Sequence, residues 1–393
     1  MANSKIETLQ GDWHFPTTIH FGVGRIGELP HVCKRLKIRH PLLVTDAGLV
    51  QQDFMTEILK VNETAGLVTE IFSEVKPNPT GANIEAGVAD YQQGGCDGVI
   101  AIGGGSSLDA GKAMALMIGQ ERSIWDFEDK GENWRRVNPA GIASCIAIPT
   151  TAGTGSEVGR ASVIVDTACQ CKRVIFHPKM LPNVVIADPA LTVGLPAHIT
   201  AATGLDAFVH NLEAYCALGY HPMAEGVALE GMRLIKLWLP VAFEQPEHLG
   251  ARSHMLAAAS MGAVAFQKGL GAVHALAHPL GARFDLHHGL LNAILLPYVL
   301  RRNCSAIEQR LMQLGLYLGL KNPSFDAVFT WILALRRRLQ IPETLQEIGI
   351  SSDQKECIGQ LAYKDPSAAG NPIPFSAQDY TAIFDDAVHG NLS

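Results

Sequence analysis

The feature that most constrains this chain is a change of period near residue 195. Before it, short apolar runs alternate with helical stretches. Pro41–Thr45 reads as a buried strand ending at Asp46, Phe54–Val61 as a helix and Gly66–Phe72 as the next strand. The turn residues Pro77–Gly81 precede a helix to about Gln93, and Asp97–Ile102 is a strand running directly into Gly103-Gly104-Gly105-Ser106, with a helix to Met117 behind it. Ala143–Ile148 is a further apolar run, cut off by Pro149. Strand, helix and strand at this spacing require a parallel sheet with crossover helices. Beyond Leu195 the pattern is Ala- and Leu-rich with helical periodicity, over 200–218, 222–242, 250–266, 270–281, 288–300, 305–318 and 324–340. The expected fold is an α/β domain over 1–193 followed by an all-helical domain over 194–393.

Length agrees with two unequal domains, since 393 residues is too much for one core. Hydrophobic residues make up 47% and charged residues 18%, enough apolar material to exclude a disordered chain. The net charge of −7 gives no global reason to seek nucleic acid or an anionic membrane. The longest apolar stretches, such as Leu290–Leu300, fall short of the ~18 residues that span a bilayer. Met1–Asp12 is polar and mixed in charge, without the apolar core of a secretion signal. The eight cysteines form no disulfide framework, and the pair Cys169 and Cys171 is expected as ordinary reduced thiols. A cytoplasmic protein is expected.

Glycines at a strand's C-terminal end let backbone N–H groups approach a diphosphate, and the helix that follows favours negative charge. Gly103, Gly104, Gly105, Ser106, Ser107 and Asp109 form such a segment. It is neither the G-x-G-x-x-G fingerprint, because Leu108 takes the last glycine's place, nor a Walker A loop. Pro149 to Glu157 carries Thr150, Thr151, Thr154 and Ser156 with two glycines, hydroxyls suited to a ribose or a nicotinamide amide. By composition alone that stretch also fits a solvated loop. Asp46 stands where a carboxylate accepts from an adenosine ribose, although it precedes the glycines rather than following them.

The strongest constellation lies in the helical half. Asp206 and His210 are four apart, as are His274 and His278, so on helices each pair shares a face. The doublet His287-His288 follows before Gly289. One carboxylate and several imidazoles on apolar helices suit a divalent Fe, Zn, Ni or Co ion. Any one of these histidines also fits a core or capping role. Three such segments together favour metal, since unpaired buried polar groups are costly.

The whole chain resembles the iron-containing (group III) alcohol dehydrogenases. The resemblance rests on Gly-Gly-Gly-Ser-x-x-Asp at 103–109, Pro-Thr-Thr-Ala-Gly-Thr-Gly-Ser-Glu at 149–157, Asp-Pro-x-Leu-Thr at 188–192 and Thr-Gly-Leu-Asp-Ala at 203–207. It extends to His-Ala-Leu-Ala-His-Pro-Leu-Gly-Ala at 274–282, His-Gly at 288–289 and Asn292. It implies a dinucleotide-binding N-terminal domain and a two-domain architecture like that of dehydroquinate synthase. It implies Asp206, His210, His274 and His288 as metal ligands, with His288 preferred over His287, and His278 beside substrate and nicotinamide. Asp46 matches the acid that favours NAD, Gly103 to Ser107 would bind the pyrophosphate, and Thr150, Thr151, Thr154 and Leu191 would line the nucleotide cleft. Lys172 falls where the family often has a base near the cofactor.

The implied activity is hydride transfer between NAD(H) and a small primary alcohol, diol or aldehyde. Fe(II), or Zn(II) or Ni(II) on the same ligands, serves as Lewis acid, and His278 is a candidate proton relay. A homodimer or larger homo-oligomer is implied as well. Other readings stay open: a metal-independent reductase of the maleylacetate reductase type, a sugar-phosphate cyclase and a non-enzymatic nucleotide-binding module. The intact ligand set weighs against the first, and Arg283 as the lone Lys or Arg in 271–289 against the second.

Overall fold

A computed structural model describes Phe15 and residues 17–392, so the stretch Met1–Asp12 lies outside the described residues. The strands are β1 (Thr18–Phe21), β2 (Pro41–Val44), β3 (Glu70–Phe72), β4 (Gly98–Gly103), β5 (Cys145–Pro149), β6 (Ala161–Asp166), β7 (Cys171–Phe176) and β8 (Val184–Ala187). Helices α1 (Leu29–Arg35), α2 (Asp53–Thr64), α3 (Gly81–Gly94) and α4 (Gly105–Met117) are interleaved with them. Then come α5 (Ala197–Cys216), α6 (Pro222–Glu244), α7 (Leu249–Ala265), α8 (Ala272–Phe284), α9 (His288–Tyr317), α10 (Phe325–Arg338), α11 (Lys355–Lys364) and α12 (Ala377–His389).

Six strands form one parallel sheet in the order β1-β8-β5-β4-β2-β3. Its apolar runs are continuous because both faces are covered. Leu43, Ile100, Ile102, Ile146 and Ile148 join a core with Val32 of α1 and Met55 of α2. Their neighbours Leu42, Val44, Val99, Ala101 and Ala147 face the opposite core with Ile84 of α3 and Met114 of α4. The chain steps outward from β2 to β3 and then returns past β2 to β4, so strand order reverses between β2 and β4. In an open α/β sheet, ligands bind outside the carboxyl ends of the strands at such a reversal.

The helical region packs around α5, whose residues from Thr200 to Cys216 are all buried. Helices α6, α7 and α9 surround it. The two apolar periods expected at 288–300 and 305–318 belong to one continuous helix, α9. Residues 301–304 carry no helix breaker, and among them Asn303 is buried against Asn371.

The antiparallel hairpin β6–β7 leaves the main sheet and packs β6 on α4 and β7 on α8, joining the two regions. At its tip Cys169 and Cys171 form a disulfide, which corrects the expectation of free thiols. The turn at Gln170 has φ 51 and brings the two Cα atoms to 5.4 Å, within the range a disulfide spans. No single helix among the described residues is long and apolar enough to cross a membrane.

Candidate active site

The nucleotide motifs converge because β2, β4 and β5 are neighbours and their carboxyl ends lie side by side. Asp46 follows β2, Gly103 to Ser107 pass from β4 into α4, and Thr150 to Thr154 follow β5. The Asp46 carboxylate is fixed by accepting from the Gly48 and Leu49 amides at 2.9 Å each, while Ser107 Oγ donates to its other oxygen at 3.4 Å. The Thr150 amide donates to the Gly103 carbonyl at 2.9 Å. The two loops approach so closely that a Cβ on Gly105 would stand 2.6 Å from Thr154 Cγ2. Any larger residue there would have to displace the Thr154 side chain.

Some residues of this group also have partners inside the protein. Asp109 has both oxygens engaged inside the protein, accepting from Ser156 Oγ and from the Val163 amide, with Lys112 Nζ at 3.2 Å. It braces the 149–157 loop from behind. Glu157 ties the same loop to the helical region by accepting from Ser260 Oγ at 2.7 Å, and burial pushes its carboxyl pKa upward. Leu191 lies in the core between the sheet and α1 and α2.

The second group lies in the helical region, next to this loop. A Cβ on Gly153 would stand 2.9 Å from Thr203 Cβ, and Thr203 is one helical turn before Asp206. Asp206 and His210 of α5, His274 of α8 and His288 of α9 offer ligand atoms that all lie within 4.8 Å of one another. The approach of α9 to α5 explains Gly289: a Cβ there would meet the Ala202 carbonyl oxygen at 2.6 Å. Asn292, one turn beyond His288, places Nδ2 2.7 Å from Asp206 Oδ1, 3.1 Å from His274 Nε2 and 3.2 Å from His288 Nε2. The Nε2 atoms of both rings thus share one centre with the carboxylate. His287 stands apart as the N-cap of α9, its Nδ1 accepting from the Leu290 amide at 3.3 Å.

The electrostatics of this group fit a cation. Asp206 is 2% exposed, and no Lys or Arg of the described residues forms an ion pair with it. A buried carboxylate without a cationic partner is costly, and a divalent ion removes that cost. Burial lowers the His210 pKa to about 4 and, helped by the nearby Lys172 charge, holds His288 well below its usual value. Neutral imidazoles are the form that donates a lone pair to a metal.

His274 differs from those two. Burial opposes its charge, but the bond and charge of Glu213 outweigh burial and raise its pKa. Glu213 Oε2 lies 2.6 Å from His274 Nδ1 and also accepts from the Gly271 amide at 2.9 Å, while Oε1 accepts from the Val273 amide at 2.7 Å. One carboxylate thereby sets both the start of α8 and the orientation of the ring that α8 carries. Such outer partners aim the ligands of metal sites. Glu213 is absent from the sequence-based assignment, although it sits three residues after His210 and shares its helix face, a signal that was there to read.

His278 is one turn after His274 and stacks on His288 with ring centroids 5.4 Å apart. Its Nδ1 lies 2.9 Å from Oδ2 of Asp365, another residue the sequence did not single out. Lys172 of β7 reaches the same cleft, and a Cβ on Gly281 of α8 would stand 3.3 Å from its Nζ. Burial lowers the Lys172 pKa to about 8 against the opposing pull of Asp109, Asp206, Asp365 and Asp285.

Comparison with known proteins agrees over both regions. Residues 16–189 match the family model described as iron-containing alcohol dehydrogenase, and residues 200–388 match that of the Fe-containing alcohol dehydrogenase family, C-terminal. The 4-hydroxybutyrate dehydrogenase of Cupriavidus necator is 36% identical over 95% of this chain and 99% of its own length. The NAD-dependent methanol dehydrogenase of Bacillus methanolicus is 34% identical, covering 96% of this chain and all of its own. A crystal structure of 1,3-propanediol oxidoreductase superposes with a TM-score of 0.90 at 33% identity, over 96% of this chain and 99% of the other. With a parallel-sheet region, a helical region and four convergent Asp and His side chains all in the expected order, the chain belongs to the iron-containing alcohol dehydrogenase family.

Proposed function

We propose that this protein is an NAD(H)-dependent oxidoreductase that interconverts a small primary alcohol or diol with its aldehyde, using one divalent metal ion. The observation that carries the reading is the adjacency of the two groups: Gly153 of the nucleotide loop packs on Thr203, one turn from Asp206 and its three imidazole neighbours. On this reading residues 1–193 form the cofactor domain and 194–393 the metal and substrate domain. Asp206, His210, His274 and His288 hold the metal, which supplies Lewis acidity toward the alcohol oxygen while the nicotinamide carries the hydride.

The remaining roles belong to the protein. Asp46 accepts from the adenosine ribose and disfavours a 2′-phosphate by like charge. Gly103, Gly104, Gly105, Ser106 and Ser107 receive the pyrophosphate at the start of α4, and Thr150, Thr151 and Thr154 bond the nicotinamide half. Asp109 supports those loops from inside, Leu191 lines the nucleotide cleft, and Lys172 supplies positive charge to it. His278 exchanges the hydroxyl proton. Fe(II) is the proposed metal, with Zn(II) and Ni(II) compatible with the same donors. A cytoplasmic homodimer or larger homo-oligomer, with no nucleic acid or membrane partner, completes the reading. The names of the similar proteins set the substrate panel: methanol, 1,3-propanediol and 4-hydroxybutyrate.

The test is NADH consumption with the matching aldehydes, on protein stripped by chelator and reloaded anaerobically with Fe(II), Zn(II) or Ni(II). Turnover that vanishes on stripping and returns with one metal supports the reading. Equal turnover by stripped protein defeats the metal's role and favours a metal-independent reductase.

A further inference from the structure

The two histidines of α8 are each held by a carboxylate, from two unrelated parts of the chain. Glu213 of α5 holds His274, within the metal-ligand group. Asp365, which follows α11, holds His278, outside it. Asp365 is not an incidental neighbour. Its other oxygen accepts from the Ser367 amide at 2.9 Å, and its own amide donates to the Ala362 carbonyl at 3.1 Å. The short helical turn Pro366–Gly370 that it caps ends at Asn371. Asn371 in turn accepts from the Ala272 amide at the start of α8 at 3.1 Å and exchanges amide hydrogen bonds with Asn303 at 2.9 Å each way. Residues 365–371 therefore clasp α8 at both histidine-bearing turns.

A carboxylate only accepts, so the 2.9 Å contact requires the proton of His278 to sit on Nδ1. With the Ser367 amide donating to one oxygen and His278 Nδ1 facing the other, both carboxylate oxygens serve as acceptors. With Nδ1–H committed, the neutral ring carries its lone pair on Nε2. Stacking on His288 and the edge contact with His274 restrict rotation of the ring.

We propose that Asp365 is a positioning residue for catalysis: it locks His278 in the Nδ1–H tautomer, so that Nε2 is the atom that takes and returns the substrate's hydroxyl proton. This rests on the reading of His278 as proton relay. The step is a proton transfer with no change of oxidation state: the Nε2 lone pair takes the proton and the O–H pair stays on oxygen. In alcohol oxidation the O–H bond breaks, an N–H bond forms at Nε2 and the Nδ1–H···Asp365 bond is kept. The resulting imidazolium is stabilised by the carboxylate, as in other carboxylate–histidine pairs.

The experiment compares Asp365→Asn, Asp365→Glu, His278→Ala and the double variant Asp365→Asn/His278→Ala in metal-loaded enzyme, measuring kcat, KM for the alcohol and bound metal. Asp365→Asn is expected to lower kcat about 10- to 100-fold, less than the roughly 100- to 10,000-fold of a whole general acid–base contribution because His278 itself remains, with KM and metal content unchanged. Asp365→Glu should recover part of the loss, and the double variant should be no slower than His278→Ala alone. Losses that multiply in the double variant, an Asp365→Asn enzyme as fast as the parent beside a slow His278→Ala, or metal lost with Asp365→Asn would each overturn the proposal. Full activity in His278→Ala would instead sink the relay reading on which it stands.

Discussion

The proposed nucleotide cleft and the proposed metal-ligand group are built on opposite plans. In the cleft each contributor is a short contiguous segment at the end of a strand, and much of its chemistry is backbone and hydroxyl. Gly103 to Ser107 would serve a phosphate in any chain that placed a strand before them and a helix behind. In the helical region no segment suffices. Asp206, His210, His274 and His288 come from three helices, and Glu213 and Asn292 orient or bridge them from two of these. A backbone site tolerates the loss of one side chain, whereas a site of convergent side chains fails when one direction is lost.

That contrast can be broken most forcefully at His274. Replacing it with Ala should abolish stoichiometric metal and lower turnover by at least about 1,000-fold, since Lewis-acid stabilisation amounts to several kcal/mol. NADH binding measured by fluorescence should survive. Metal retained at the parent level would show that the group is not the ligand set.

Glu213→Gln probes orientation alone. The amide keeps one acceptor but loses the charge that fixes the His274 tautomer, so metal affinity should fall about 10- to 100-fold by competition with a chelator. Circular dichroism should be unchanged if α8 keeps its start. An unaltered affinity would reduce Glu213 to a helix cap.

Gly105→Ala tests the other plan and should have the smallest effect. The added Cβ must displace Thr154, raising the Kd for NADH by about tenfold, or 1.4 kcal/mol, with metal content untouched. A metal loss here would mean that the two regions are more tightly coupled than Gly153, Thr203 and Glu157 suggest.

The legibility of the two regions follows the same division. Asp46, the glycine run and the Thr-rich loop could be read because their signals are local: an apolar run, a breaker and a helix start. The pairs Asp206–His210 and His274–His278 were legible because helical spacing alone puts residues four apart on one face. Glu213 was within reach by the same periodicity. The hairpin β6–β7 and strand β8 escaped because 161–187 shows no long clean alternation, and β8 takes its partners, β1 and β5, from far along the chain. The Cys169–Cys171 bridge escaped with the turn that closes it. His287 and His288 are equivalent by type and adjacent in the chain, and only the path of α9 turns one to a cap and the other to the group.

The sequence by itself determined a parallel α/β half, a helical half, the glycine- and hydroxyl-rich segments that end the strands and the Asp and His residues that converge on one centre. Those follow from periodicity and from the backbone chemistry of glycine, which act over a few residues. Tertiary structure decided that Asp365, 87 positions beyond His278, closes on its Nδ1, that Glu213 faces His274, and that Asp109 turns inward rather than toward the cleft. Long-range hydrogen bonds of buried polar groups have no period to betray them. They are chosen by which donors and acceptors the packed helices leave without water.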